Sequence, residues 1–182
     1  VKVIQGELSD ESSLRTAVKD QDAIISTIGP NGGSGYSSFS SYHAVFPTFY
    51  KLLLRLMREY GIRRILAMST FSLYDPKDKM ISRAAVVWLV WLIARGAWRE
   101  FVELGDTFHT EGQGIDWTLY RVGVITDAPE TETRAGFVGE EGFRLVISRK
   151  DMATWLVEQA ATRPAQWVGQ TPAISSLGKA KV

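Results

Sequence analysis

The stretch that most constrains this chain is Asp22-Ala23-Ile24-Ile25-Ser26-Thr27-Ile28-Gly29-Pro30. It is a short, β-branched, nearly continuous apolar run that stops at a Gly-Pro breaker. Such a run reads as a strand buried on both faces, in the middle of a parallel sheet with helices on either side. In sheets of that kind ligands bind where the strands end, at the carboxyl edge. Gly29 and Pro30 stand at that edge. The loop from Ile28 to Gly35 is therefore expected to wall a binding site.

The rest of the chain alternates in the same rhythm. Val1-Lys2-Val3-Ile4 reads as a strand that is already under way, so the pattern is expected to begin upstream of Val1. Ser9 or Asp10 can cap a helix whose inner stripe is Leu14, Ala17 and Val18. After the central run, residues 29–41 are rich in Gly and Ser but carry Tyr36 and Phe39, aromatics that fit a loop covering a ligand. Pro47 opens a helix with Phe49, Leu52, Leu53, Leu56 and Met57 on one face, and Gly61 ends it. Ile62–Met68 is the next strand and stops at Ser69-Thr70. An apolar helix over 81–98 and a second over 98–111 lead to a strand at Ile115–Tyr120, with Arg121-Val122-Gly123 as its exit. Gly136–Val138 and Leu145–Ser148 read as short strands around the turn Glu140–Gly142. Asp151 is expected to cap a helix burying Met152, Leu156 and Val157, and Trp167–Gly169 to be the last strand. Residues 176–182 read as a frayed tail, and 1–182 as one domain. Strand and helix alternating this way make a doubly wound α/β sheet.

Composition removes several functions. Among 182 residues, 21 basic side chains against 20 acidic ones leave a net charge of +1, too little for a nucleic-acid or anionic-membrane surface. There is no cysteine, which excludes thiolate catalysis, disulfides and cysteine metal sites. Two distant histidines without an acidic cluster give no metal site. The run Ala84–Ala94, bracketed by Arg83 and Arg95, is shorter than the ~20 apolar residues a membrane span needs. A cytoplasmic protein without a membrane span is expected.

Four stretches now combine: Gly6-Glu7-Leu8-Ser9-Asp10, Asp22–Gly29, Asp116–Gly123 and Ile147–Ala153. In that order they resemble the atypical short-chain dehydrogenase/reductase group, most of all its NmrA-like and biliverdin-reductase-B-like members. The resemblance runs from Val1 to about Ser176. It implies an α/β, Rossmann-like, doubly wound and mostly parallel sheet that binds NADP or NAD. It also implies roles by position. Glu7 and Leu8 would line the adenine, and Ile28, Gly29 and Pro30 would lie beside the riboses. Ser69 and Thr70 would face the nicotinamide. Arg121, Val122, Gly123 and Val124 would meet its carboxamide. Trp88 and Trp91, one helical turn apart, would join Tyr36 and Phe39 around an apolar substrate, and their helix would suit a homodimer contact.

Against the family, the chain is expected to be N-terminally truncated, because the first strand, the Gly-rich phosphate turn and the next helix have no counterpart. Gly29–Gly35 has no G-x-G-x-x-G spacing and cannot stand in for that turn. The cofactor is therefore expected only if such a turn exists in the full molecule. The wider superfamily's Tyr-x-x-x-Lys is also missing, since Tyr74 is followed by Lys77 and Lys79. The catalytic Lys of isoflavone-reductase-like relatives aligns near Glu103. Ser69 is then the leading catalytic candidate, with Tyr74 or His109 as proton donors. The expectation is an NAD(P)-dependent oxidoreductase acting on an apolar carbonyl or enone. The alternatives are a cofactor-independent isomerase, lyase or cyclase on the same scaffold, or a dinucleotide-sensing regulator.

Overall fold

The computed structural model describes residues 2–29, 45–79 and 95–178. Its first helix, α1 (Glu11–Val18), starts at Asp10, whose carboxylate accepts from the Ser12 and Ser13 amides at 3.0 and 3.3 Å. β1 (Ala23–Ser26) follows, then α2 (Val45–Glu59) with Pro47 in its first turn. α2 ends on Gly61 at φ +73°, with Ile62 N donating to Met57 O at 2.8 Å and Gly61 N to Arg58 O at 3.2 Å. Those two bonds are the Schellman closure that a C-terminal glycine permits. β2 (Arg64–Thr70), α3 (Arg95–Glu111) and β3 (Asp116–Val122) come next. The last elements are β4 (Val124–Thr126), β5 (Thr133–Gly136), β6 (Val146–Ser148), α4 (Arg149–Ala161) and β7 (Ala173–Ser176).

Among the described residues, five strands form one sheet in the order β1-β2-β3-β7-β5, parallel except for β5, while β4 and β6 make a separate parallel pair. Alternation along β2 and β3 divides the core in two. Ile65, Ala67, Trp117 and Leu119 face α2 and α3, packing on Leu53, Leu56, Phe101, Leu104 and Phe108. Leu66, Met68, Tyr120 and Val122 face α4 and pack on Trp155 and Leu156. A sheet covered on both faces with its strand ends aligned is the doubly wound architecture.

Several expectations change. The two strands buried on both faces are β2 and β3. β1 pairs only with β2 among the described residues, and Ile25 is 39% exposed. Lys2–Gly6 forms no strand, since no described strand lies alongside to bond it, and Val3 is exposed. Ala17 and Val157 point outward. Arg121 and Val122 belong to β3 itself, so its exit begins at Gly123. β5 and β6 do not pair with each other across the 140–142 turn. β5 joins β7, and β6 joins β4. Ser148 rather than Asp151 caps α4, and Asp151 accepts from Thr131 and Ser176 instead. The last strand is β7, because Trp167 takes a left-handed φ of 56° that ends any extended run, and Ser176 lies inside β7 and not in a tail. The apolar run 84–94 lies outside the described residues. Among the described ones no helix is long and apolar enough to cross a membrane.

Candidate functional site

Parallel register brings the strand ends to one level. Ser69 pairs with Arg121 and Thr70 with Val122. Ile28 and Gly29 leave β1 beside them, and Gly29 lies against the Met68 side chain. At the exit of β3, Gly123 is pressed so close to its neighbours that an added Cβ would stand 2.3 Å from Leu145 O and 2.7 Å from Phe71. Only glycine lets the backbone turn there, into exposed Val124 of β4. Pro30 lies outside the described residues, as do Tyr36, Phe39, Trp88 and Trp91.

A cavity of about 670 Å³ lies between residues 6–9 and α2, lined by Gly6, Glu7, Leu8, Ser9, Val45, Thr48, Phe49 and Leu52. Its walls are the exit of the first segment and the first turns of α2. It is mostly apolar, with Glu7, Ser9 and Thr48 among its lining residues, the make-up of a small-molecule pocket.

The amino ends of the helices tell a different story. Helix starts are the usual seats for phosphate, because their first amides are unpaired. Here α1 is closed by Asp10, and α4 by Ser148, which accepts from the Asp151 amide at 3.0 Å. α2 is closed from another helix: buried Glu100 of α3 accepts from the Val45 and Phe46 amides at 3.2 and 3.1 Å. None of these three helix starts offers a phosphate group a free seat.

A profile of the family described as NAD(P)H-binding matches residues 1–163. The chain belongs to that family. Among solved structures, a short-chain dehydrogenase/reductase from Veillonella parvula DSM 2008 superposes with a TM-score of 0.72 at 11% identity, covering 100% of this chain and 74% of that one. A wide-type short-chain dehydrogenase/reductase of the same organism, in complex with NADP, gives 0.71 at 13% identity over 100% and 75%. ChuY, an anaerobillin reductase from Escherichia coli O157:H7, gives 0.63 at 19% identity over 99% and 77%. No curated protein matches significantly. The neighbours share the Rossmann-like fold, and the family membership makes this a nicotinamide-dinucleotide-binding domain.

Within this NAD(P)H-binding domain the candidate side chains separate. Ser69 is at the shared edge but fully buried, and its Oγ has no hydrogen-bond partner among the described residues. Thr70 is half-buried, with Oγ1 accepting from the Ser72 amide at 3.3 Å. Tyr74 follows in the same loop and is 56% exposed. Lys77 does not serve it, since its ammonium stands 4.7 Å over the Phe137 ring. His109 does not join the group. It is exposed, bonded through Nδ1 to Gly105 O at 2.8 Å, and sits edge-on to Trp117. Trp117 is the second residue of β3, four residues before Arg121, which at ~3.3 Å per residue places His109 roughly 13 Å below the site.

Arg121 contributes more than backbone. Its guanidinium is wholly buried and paired with Asp78 at 2.5 and 2.8 Å. Nε donates to Thr171 O at 2.6 Å, and an Nη to Leu73 O at 3.2 Å. Sequence reasoning missed Asp78 and Glu100. One signal for Asp78 was available: an arginine inside the apolar run Leu119-Tyr120-Arg121-Val122 has to find a carboxylate.

Proposed function

We propose that this NAD(P)H-binding chain is an NAD(P)-dependent oxidoreductase of the short-chain dehydrogenase/reductase type, acting on an apolar carbonyl or enone. The observation that carries it is the register pairing of Ser69-Thr70 with Arg121-Val122 at one strand edge, beside a glycine pressed flat for close approach. Bound nicotinamide supplies the hydride. The chain's own groups do the rest. Gly6–Ser9 and Phe49 hold the adenosine end, with Glu7 at the margin available to a sugar hydroxyl. Gly123 and Val124 expose backbone to the carboxamide. Ser69 donates its hydroxyl to the substrate's carbonyl oxygen, and Tyr74, facing water, relays the proton.

Titration with NADPH and NADH, followed by dinucleotide consumption over a panel of saturated and unsaturated apolar carbonyls, tests this reading. Turnover that falls about a hundredfold in Ser69→Ala is the expected result. Failure of both dinucleotides to bind the full molecule overturns it.

A further inference from the structure

We propose that residues 71–79 form a latched cover over the Ser69 hydroxyl, with the Arg121–Asp78 ion pair as the latch. The proposal rests on the reading of Ser69 as a ligand-facing group, and it adds how that group is reached.

Ser69 follows Ile65 and Ala67 at a spacing of two, so it points to the α2/α3 face. Arg121 follows Trp117 and Leu119 in the same way and is the register partner of Ser69. The two side chains therefore stand next to each other. The chain leaving β2 doubles back over them. Leu73 N donates to Thr70 O at 3.1 Å, and Leu73 O accepts from Arg121 at 3.2 Å. Its side chain drops onto Gly105 of α3, where an added Cβ would stand 2.3 Å from Leu73 Cδ1.

The fastenings beyond Leu73 are polar. Asp75 accepts from Thr171 Oγ1 at 2.5 Å. Asp78 takes the Arg121 fork and the Val138 amide at 3.0 Å, and Lys79 N reaches Val138 O at 2.9 Å. A buried ion pair holds strongly while both partners are present, and it adds geometric definition more than net stability. Beneath it lies a hydroxyl with no hydrogen-bond partner among the described residues, a state that proteins keep at few positions. A ligand oxygen admitted under the cover would satisfy that hydroxyl. Arg121 and Asp78 are thus positioning residues, acting on Ser69 through the 71–79 segment.

The absence of cysteine makes the test direct. Ser69→Cys introduces a single thiol whose reaction with an aromatic disulfide reagent reports access. Tyr74→Cys gives the exposed reference and Ala67→Cys, two residues deeper on the same face, the reference for opening of the whole core. The expected order is Tyr74→Cys fastest, with Ser69→Cys about a hundredfold slower and Ala67→Cys slower still. Adding Asp78→Asn should raise the Ser69→Cys rate about tenfold or more relative to Ala67→Cys. If Asp78→Asn does not fold, Arg121→Lys carries the same comparison, since it keeps the buried charge but gives up the two-pronged fork on Asp78. Equal rates at 69 and 74 would show that no cover exists. A rate ratio between 69 and 67 unmoved by the folded variant would show that the pair is no latch. Neither dinucleotide nor substrate enters the assay, so its outcome is independent of whether the chain consumes NADPH.

Discussion

Two arginines are buried in neighbouring strands at opposite ends of the sheet, and they are treated differently. Arg64 opens β2 at the amino edge and is 2% exposed. It donates to Asp116 O and Thr118 Oγ1 at 2.8 Å each and to Gln166 O at 3.3 Å, while its Nε finds no partner among the described residues. Burial lowers its pKa, Asp116 offsets part of that, and Arg163 lowers it further. Arg121 closes β3 at the carboxyl edge, and a carboxylate meets its fork squarely. At the amino edge the charge is spread over carbonyls and ties fixed strands to one another. At the carboxyl edge it is matched by one acid on a loop. The difference teaches that, of these two buried arginines, the one matched by a carboxylate is the one beside which a loop crosses the strand ends.

The largest expected effect tests that contrast directly. Asp78→Ala leaves Arg121 buried without its partner and should cost about 3–5 kcal/mol of stability, whereas Arg64→Met removes neutral-partner bonds and should cost about 1–3 kcal/mol. Urea unfolding of the two variants measures both, and equal losses would erase the distinction. Next comes Ser69→Ala. Removing a buried, unpartnered hydroxyl should stabilise the chain by about 1 kcal/mol, roughly 2–4 °C in Tm for a domain of this size, while turnover falls. A loss of stability would mean that the hydroxyl has a bond that keeps it in place. The smallest effect lies far from the site. Bonds from the Ser13 hydroxyl first, then the Ser12 hydroxyl, lower the Asp10 pKa from 3.8 to about 2. A depressed folded-state pKa stabilises above the unfolded value and loses that contribution as pH falls through the folded one. The cap of α1 should therefore weaken between about pH 4 and pH 2, and Asp10→Asn should flatten that part of a thermal-unfolding profile against pH.

Much of the frame was legible because it depends on local pattern. β2 and β3 announce themselves as apolar runs that stop at Ser69-Thr70 and Gly123, and α2 shows its stripe between Pro47 and Gly61. What escaped depends on contacts between distant residues or on conformation without a compositional mark. Asp78 sits in a loop that reads as solvated turn, and nothing local says that Arg121 is waiting 43 residues on. Ala173–Ser176 has little β propensity and is a strand because β3 and β5 flank it. Trp167-Val168-Gly169 has the propensity but bends away at Trp167. The β1 run looked central because its residues are apolar, yet its place in the sheet is decided by which strands lie beside it.

Glu100 has a mechanical consequence. Five positions along α3 separate the carboxylate that grips the first amides of α2 from Gly105, on which Leu73 rests. The same rod therefore touches the wall of the 670 Å³ cavity at Val45 and carries the bearing of the loop above Ser69. A shift of α3 along its own axis moves both together, so the two ends of the crevice are geared to each other rather than free to adjust separately.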